Sequence, residues 1–200
     1  MKLYLLRHAE SQSNENQVIS CKLPGLGLSP RGLEQIKETA EDLKNLKSIV
    51  KIYCSPFLRT RETVRYLNLL VPVVIDERIK ELDYGELEAV SEKEAAADLK
   101  RIMDLIYRGD YQVRFGSTGE NQQELLSRIY EFLIELIKKE ETALVVTHGC
   151  VISIIHRLYR QLNNLEEKIK SENAKLIEVD FKNDNLPLIN NLLAEINNLK

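Results

Sequence analysis

The sequence predicts an α/β fold, a three-layer α/β/α arrangement in which a mostly parallel central sheet lies between helices. Two observations support this prediction. Short apolar runs alternate with longer amphipathic stretches, and the apolar runs are continuous instead of alternating with polar residues. Strands separated by helices are typical of parallel pairing, and continuous apolar strands are typical of a sheet covered on both faces. The length of 200 residues suits one domain spanning 1–200.

Several short runs are predicted to be the strands of this sheet. They are rich in Val, Ile, Leu and Tyr, and each is short enough to cross a sheet once. In chain order they are Leu3–Leu6, Ile49–Tyr53, Val71–Ile75, Ala143–Thr147 and Leu176–Phe181.

Amphipathic stretches between these runs are predicted to be helices, because their apolar residues recur every three or four positions. The pair Ser91 and Glu94 has the spacing of a capping box, which predicts a helix through about Tyr107. Together with the irregular loop that follows, 86–120 is predicted to form a small helical lid insertion. The other helical stretches are Leu33–Leu46, one starting near Arg59, Leu125–Ile137, one following Gly149, and Ile189–Leu199.

Composition narrows the class of protein. The net charge is −3 and the basic residues are dispersed, which disfavours nucleic acid as a partner. No apolar run is long enough to cross a bilayer, and the chain starts directly on a strand, so neither a membrane nor a signal peptide is predicted. Cys21, Cys54 and Cys150 lack metal-ligand spacing, which fits reduced thiols in the cytoplasm. The oligomeric state is left open.

Cationic and imidazole side chains follow three of the predicted strands. Arg7 and His8 end the first, Arg59 follows the second, and His148 with Gly149 ends the fourth. In open α/β sheets, ligands bind outside the carboxyl ends of the strands, so these groups are expected to converge. Guanidinium groups offer planar donor forks that suit phosphate. The sequence therefore predicts a ligand site at this edge.

Six motifs, in order along most of the chain, resemble those of the histidine phosphatase superfamily, branch 1, also called phosphoglycerate mutase-like. The first is followed by Asn14 at the expected place. The motifs are "LRHAES" at Leu6–Ser11, "LSPRGLEQ" at Leu28–Gln35, "SPFLRTRET" at Ser55–Thr63, "ELDYG" at Glu81–Gly85, "GEN" at Gly119–Asn121 and "VTHG" at Val146–Gly149.

This resemblance implies a phosphoryl transfer without metal or cofactor. His8 would be the nucleophile, as a neutral imidazole whose other ring nitrogen donates to a backbone carbonyl. Arg7 and Arg59 would bind the phosphoryl oxygens, and His148, if protonated, would add a third cationic donor. Glu81 would be the acid for the leaving oxygen, and then the base for water. Candidate substrate-binding residues are Asn14, Ser11, Cys21, Tyr84 and Gly149.

Two residues depart from the family pattern. Ala9 and Ala89 stand where glycine is usual, so the backbone at Ala9 must be one that alanine can adopt. Outside the site, Cys54 and His156 are predicted to be structural. Glu10 and Glu62 are predicted to make local contacts.

The predicted activity is hydrolysis of a small phosphate monoester through a phosphohistidine. The alternatives are a phosphoglycerate mutase of the same family, and a phosphate-binding or scaffold protein that has lost turnover. The basic residues of the lid allow two interpretations, contact with an anionic ligand or, as the sequence favours, a solvated helix face. These residues are Lys93, Lys100, Arg101, Arg108 and Arg114.

Overall fold

A five-stranded sheet lies at the centre of the computed structural model, which describes residues 1–44, 46, 48–166 and 169–199. The strand order is β3-β2-β4-β1-β5, and β5 alone pairs antiparallel to its neighbour in this described sheet. The predicted mostly parallel sheet is therefore confirmed. The strands are β1 Lys2–Arg7, β2 Lys51–Cys54, β3 Val73–Ile75, β4 Ala143–Thr147 and β5 Leu176–Asp180.

Helices connect the strands and cover the sheet. The predicted capping box is present, since Ser91 accepts from the backbone of Glu94 and the helix ends at Tyr107. None of the described helices is long and apolar enough to cross a membrane. The helices are α1 Gln12–Glu15, α2 Pro30–Leu43, α3 Leu58–Leu67, α4 Glu92–Tyr107, α5 Gln122–Lys139, α6 Gly149–Asn163 and α7 Leu186–Asn197.

The core lies on both faces of the sheet, because successive side chains of a strand point to opposite faces. In β1, Leu3 and Leu5 pack in the cluster that contains the buried residues of α5 and α6. Tyr4 and Leu6 pack on the opposite face with those of α2. This arrangement is the three-layer fold that the sequence predicted.

The edge strand β3 departs from that prediction. Val73, Val74 and Ile75 are 47%, 39% and 49% exposed, so this strand is not covered on both faces. Its sequence is as apolar as that of a central strand, but it pairs with β2 alone and lies at the margin of the helical layers. The expectation of full coverage is therefore wrong for β3.

The sheet register sets the place of the site. Arg7 pairs with Thr147 at the ends of β1 and β4, and Cys54 pairs with Val146 at the end of β2. These parallel strands are adjacent, so the residues that follow them meet at one edge, as the sequence predicted.

Candidate active site

A cavity of about 450 Å³ opens at the carboxyl edge of the sheet. It brings together the ends of β1 and β4, the first turn of α3 and the segment that follows β3. From the predicted site residues it collects Arg7, His8, Asn14, Arg59, Glu81, Tyr84 and Gly149. Ser11, Cys21 and His148 are not among the lining residues.

His8 is held as one tautomer of a neutral imidazole. Its Nδ1 lies 2.7 Å from the carbonyl oxygen of Ala9, and its Nε2 accepts from Arg59 Nε at 3.2 Å. Since Nε2 is an acceptor, the ring proton belongs on Nδ1, where it meets the expected backbone carbonyl. Burial, and then the charge of Arg59, lower the pKa of His8 well below its usual range. The lone pair of the ring therefore lies on Nε2, where it accepts the hydrogen bond from Arg59.

The backbone around His8 is clamped by residues of two other family motifs and by one further side chain. Thr63 Oγ1 accepts from Ala9 N at 3.1 Å, and Gln35 Oε1 accepts from Glu10 N at 2.9 Å. A Cβ at Gly32 would come within 2.0 Å of Glu10 O, so only glycine allows α2 to lie this close. Asn173 Nδ2 donates to His8 O at 2.9 Å.

The two arginines of the cavity each keep a buried donor without a partner. Arg59 Nε donates to His8, and its Nη2 donates to Ser20 O at 3.0 Å, but its Nη1 has no partner among the described residues. Arg7 Nη1 donates to Ser171 O at 3.0 Å, while its Nε has none. Buried donors normally have a hydrogen-bond acceptor, so these two are available to the oxygen atoms of a ligand.

His148 is fully buried, and its contacts are those of a neutral ring. Its Nε2 lies 2.7 Å from Ser55 Oγ, and its Nδ1 lies 3.2 Å from Arg59 Nη2. A guanidinium can only donate, so Nδ1 must be the acceptor. Burial, and then Arg59, lower the pKa of His148 well below its usual range. In this state the ring orients Arg59 and carries no charge.

Glu81 reaches the cavity on the segment after β3. Its carboxyl Oε2 lies 3.9 Å from His148 Nδ1, and its side chain is 17% exposed. Burial raises the pKa of Glu81, while the nearby charges of Arg59, Arg7 and Arg128 oppose the shift. A raised pKa favours the protonated form that a general acid needs.

Arg128 of α5 holds this segment in place. Its Nη1 donates to Arg78 O at 2.6 Å and to Lys80 O at 2.9 Å. Its Nε and Nη2 make a bidentate pair with Glu120, at 2.6 and 2.9 Å. The side chains are 12% and 9% exposed, so water screens this pair little. Arg128 therefore fixes the backbone that leads into Glu81.

We expect Arg128→Met to lower the free energy of unfolding by on the order of 3 kcal/mol, because it leaves Glu120 buried without its partner and frees the backbone carbonyls. Denaturant titration measures the loss. The matched control is Arg101→Met on α4, where the side chain is 62% exposed and lies 4.0 Å from Asp98. Equal small losses in both variants would contradict the bracing role.

Of the four remaining predicted residues, two line the cavity and two lie outside its lining. Asn14 lines the cavity while its Oδ1 is bonded to Ser11, and Tyr84 both lines the cavity and packs edge-on against Phe115. Ser11 is buried and caps α1. Cys21 Sγ lies 3.8 Å from Asp83 Oδ1, and burial raises the pKa of its thiol to about 12. Ser11 and Cys21 therefore support the site from outside its lining.

The two departures from the family pattern differ in their backbone. Ala9 is fully buried and is not among the described residues with positive φ, so alanine fits there. Ala89 has φ of +65°, the left-handed region that glycine enters easily and that costs alanine about 1 kcal/mol. Its N–H donates to Ile19 O at 2.9 Å, which holds the conformation.

Sequence reasoning missed three parts of the site. Arg128 could have been noticed as a cation between Leu125 and Phe132 on the apolar face of α5. Asn173 carries no sequence signal. Eight lining residues of the cavity were also missed, and they are Ser13, Val18, Ile19, Ser20, Glu92, Ala96, Leu99 and Cys150.

Comparison with known proteins places this geometry in a family. The profile described as histidine phosphatase superfamily (branch 1) matches residues 3–191. A probable phosphatase of Schizosaccharomyces pombe is 29% identical over 194 residues, covering 90% of this chain and 87% of that protein. A probable phosphoglycerate mutase of Enterobacter is 27% identical over 190 residues, covering 91% and 86%. A phosphoserine phosphatase from Entamoeba histolytica, solved with 3-phosphoglyceric acid, superimposes with a TM-score of 0.71 at 25% identity, covering 88% and 89%.

The profile extends over nearly the whole chain, so the protein belongs to branch 1 of the histidine phosphatase superfamily. It is an enzyme of the phosphoric monoester hydrolase type. The resemblance that the ordered motifs indicated, and the phosphoglycerate mutase-like fold that it implied, are both confirmed.

Proposed function

We propose that the protein is a metal-independent phosphatase that hydrolyses a small-molecule phosphate monoester in the cytoplasm. One observation supports this above all. Arg7 and Arg59, each with a buried donor that has no partner among the described residues, line the same cavity as His8. A phosphate group has the oxygens that these donors lack and the phosphorus that the imidazole can attack.

In the first step, Arg59 Nε transfers its hydrogen bond from His8 Nε2 to a phosphoryl oxygen, the freed Nε2 attacks phosphorus, and the ester P–O bond breaks. Arg59 lies against His8, and the guanidiniums of Arg59 and Arg7 neutralise charge that develops on the phosphoryl oxygens. Glu81 gives its proton to the leaving oxygen, which departs as an alcohol. The product is a phosphohistidine, with the proton on Nδ1 still bonded to Ala9 O.

In the second step, water attacks the phosphoryl group and the P–N bond breaks. Glu81, now a carboxylate, takes a proton from that water, and His8 returns to its neutral form. The bound dianion favours protonation of Glu81 again because like charges disfavour the carboxylate.

The cavity favours a phosphatase over a mutase. Its cationic side chains, among the described residues, are Arg7 and Arg59, and both are needed for one phosphoryl group. A bisphosphate would bring a second dianion, and no further Arg or Lys among the described residues lines the cavity to receive it. The basic residues of the predicted lid lie elsewhere, for example Arg114, which pairs with Glu124 at 2.8 Å.

The test is a phosphate-release assay on a panel of phosphorylated metabolites, with and without EDTA. We expect turnover that the chelator does not reduce, since the positive charge comes from arginine. With 3-phosphoglycerate and catalytic bisphosphoglycerate, little 2-phosphoglycerate should form. A loss with EDTA that zinc or magnesium restores would contradict metal independence.

The same assay separates the alternatives. Rapid interconversion of the phosphoglycerates would favour the mutase. Tight binding of inorganic phosphate without turnover of any ester would favour a binding or scaffold role.

A further inference from the structure

Besides its phosphate-binding arginines, the cavity has an apolar wall. This wall is formed by Val18 and Ile19 from the loop after α1 and by Ala96 and Leu99 from α4. Glu92, in the first turn of α4, is the charged side chain that joins this wall. A wall of this kind suits a short hydrocarbon, and the carboxylate suits a positive group.

Backbone hydrogen bonds hold Glu92 beside the apolar wall of the cavity. Its N–H donates to Gln17 O at 2.9 Å, and Val18 pairs with Ser91 in an isolated bridge. Ile19 N donates to Val90 O at 2.9 Å, which fastens the same loop to the segment before α4. Backbone hydrogen bonds therefore join the loop of Val18 and Ile19 to the start of α4, where Glu92 lies.

The charge beside the apolar wall of the cavity is negative. Lys93 and Lys100 flank the lining residues along α4 but do not line the cavity. Within the described part of the chain, no ion pair to Glu92 is formed. A substrate with a carboxylate or a second phosphate beyond the ester oxygen would meet Glu92 without a compensating cation.

We propose that Glu92 and this wall select phosphate monoesters whose alcohol part is a short alkyl chain that carries an ammonium group. The proposal rests on the proposed phosphatase function and names its substrate class. The phosphate binds at Arg7 and Arg59, the alkyl carbons lie against Leu99 and its neighbours, and the ammonium group contacts the carboxylate of Glu92. An anionic group at the same position is disfavoured by the same charge.

The test compares three phosphate esters whose alcohol part has three carbons. They are 3-aminopropyl phosphate, which carries an ammonium group, n-propyl phosphate, which is uncharged at that end, and 3-(phosphonooxy)propanoate, which carries a carboxylate. At low ionic strength we expect kcat/KM to fall in that order, by about two- to fivefold at each step, the size of an exposed charge contact. The differences in kcat/KM should shrink in about 0.5 M salt, because the Debye length is then only a few ångströms and the charge of Glu92 is screened.

Glu92→Gln should remove the advantage of the amine, and Glu92→Lys should reverse the order. The matched control is Asp98→Asn, which removes the same charge from the exposed side of α4, outside the cavity lining. Asp98→Asn should keep the wild-type order. A helix-terminus effect of Glu92 on stability would change all three esters alike and leave their ratios fixed.

Wild-type hydrolysis of p-nitrophenyl phosphate reports the phosphatase function independently. If that ester is hydrolysed but the three alkyl esters are equal, or Glu92→Gln leaves their ratios unchanged, the proposal on Glu92 is overturned and the phosphatase function stands. If no ester is hydrolysed, the proposed function fails and the substrate class fails with it.

Discussion

His8→Ala is expected to abolish phosphate release while the protein stays folded. The variant removes the nitrogen that attacks phosphorus, and loss of a nucleophile costs on the order of 10³-fold or more in turnover. A brief incubation of the wild type with labelled substrate should trap an adduct on His8 that is stable to base and labile to acid. Full activity in His8→Ala would overturn the mechanism.

Binding and chemistry can be separated in the same variant. Arg7 Nε and Arg59 Nη1 are untouched by the substitution, so His8→Ala should still bind inorganic phosphate, measured by calorimetry. The matched control is His156→Gln, which changes a histidine in α6 away from the cavity and should retain turnover. Thermal unfolding of both variants checks the fold.

The strand-end side chains could be predicted from the sequence because their position follows from a general property of parallel sheets. Arg7, His8 and Arg59 each follow an apolar run, and the adjacent order of β1, β4 and β2 brings them to one cavity. Glu81 follows no strand end directly. The family motif is what identifies Glu81, because it lies in the irregular segment after β3 and the path of that segment cannot be predicted from hydrophobic periodicity.

Other features depend on contacts between residues distant in sequence. Arg128 braces carbonyls about fifty positions earlier, and backbone carbonyls leave no trace in a sequence. The neutral state of His148 follows from the way Arg59 donates to it, which no motif specifies. The exposure of β3 follows from its place at the edge of the sheet. It could not be predicted, because edge strands and central strands can have the same apolar sequence.

Glu81→Gln is expected to slow alkyl phosphates far more than p-nitrophenyl phosphate. An alkoxide is strongly basic and needs a proton in the transition state, which a positioned acid supplies at a gain of ~10²–10⁴-fold. A nitrophenolate is a much weaker base and needs that proton less. The measurement is kcat/KM for both esters in the variant and the wild type. Glu131→Gln, an exposed carboxylate of α5 outside the cavity, is the matched control.

The pH profile gives a second measure of the same group. Burial raises the pKa of Glu81, so its acid form persists to higher pH than for an ordinary carboxyl. For alkyl phosphates, kcat/KM should therefore fall as the pH rises through that raised pKa, because the proton donor is lost. Glu81→Gln cannot titrate, so this basic limb should be absent from its profile.

The same contrast appears in kcat only when the first chemical step limits both esters, which burst kinetics establishes, because kcat/KM reports that first step in either case. If water attack on phosphohistidine limits instead, loss of the base slows both esters equally. Equal small losses with a limiting first step would show that Glu81 is not the acid. Asp83 and Glu120 would be poor replacements, because Asp83 Oδ1 accepts from Gly85 N at 2.8 Å, Glu120 is paired with Arg128, and neither lines the cavity. The proton would then come from Glu92, the other carboxyl side chain among the described lining residues of the cavity, or from water.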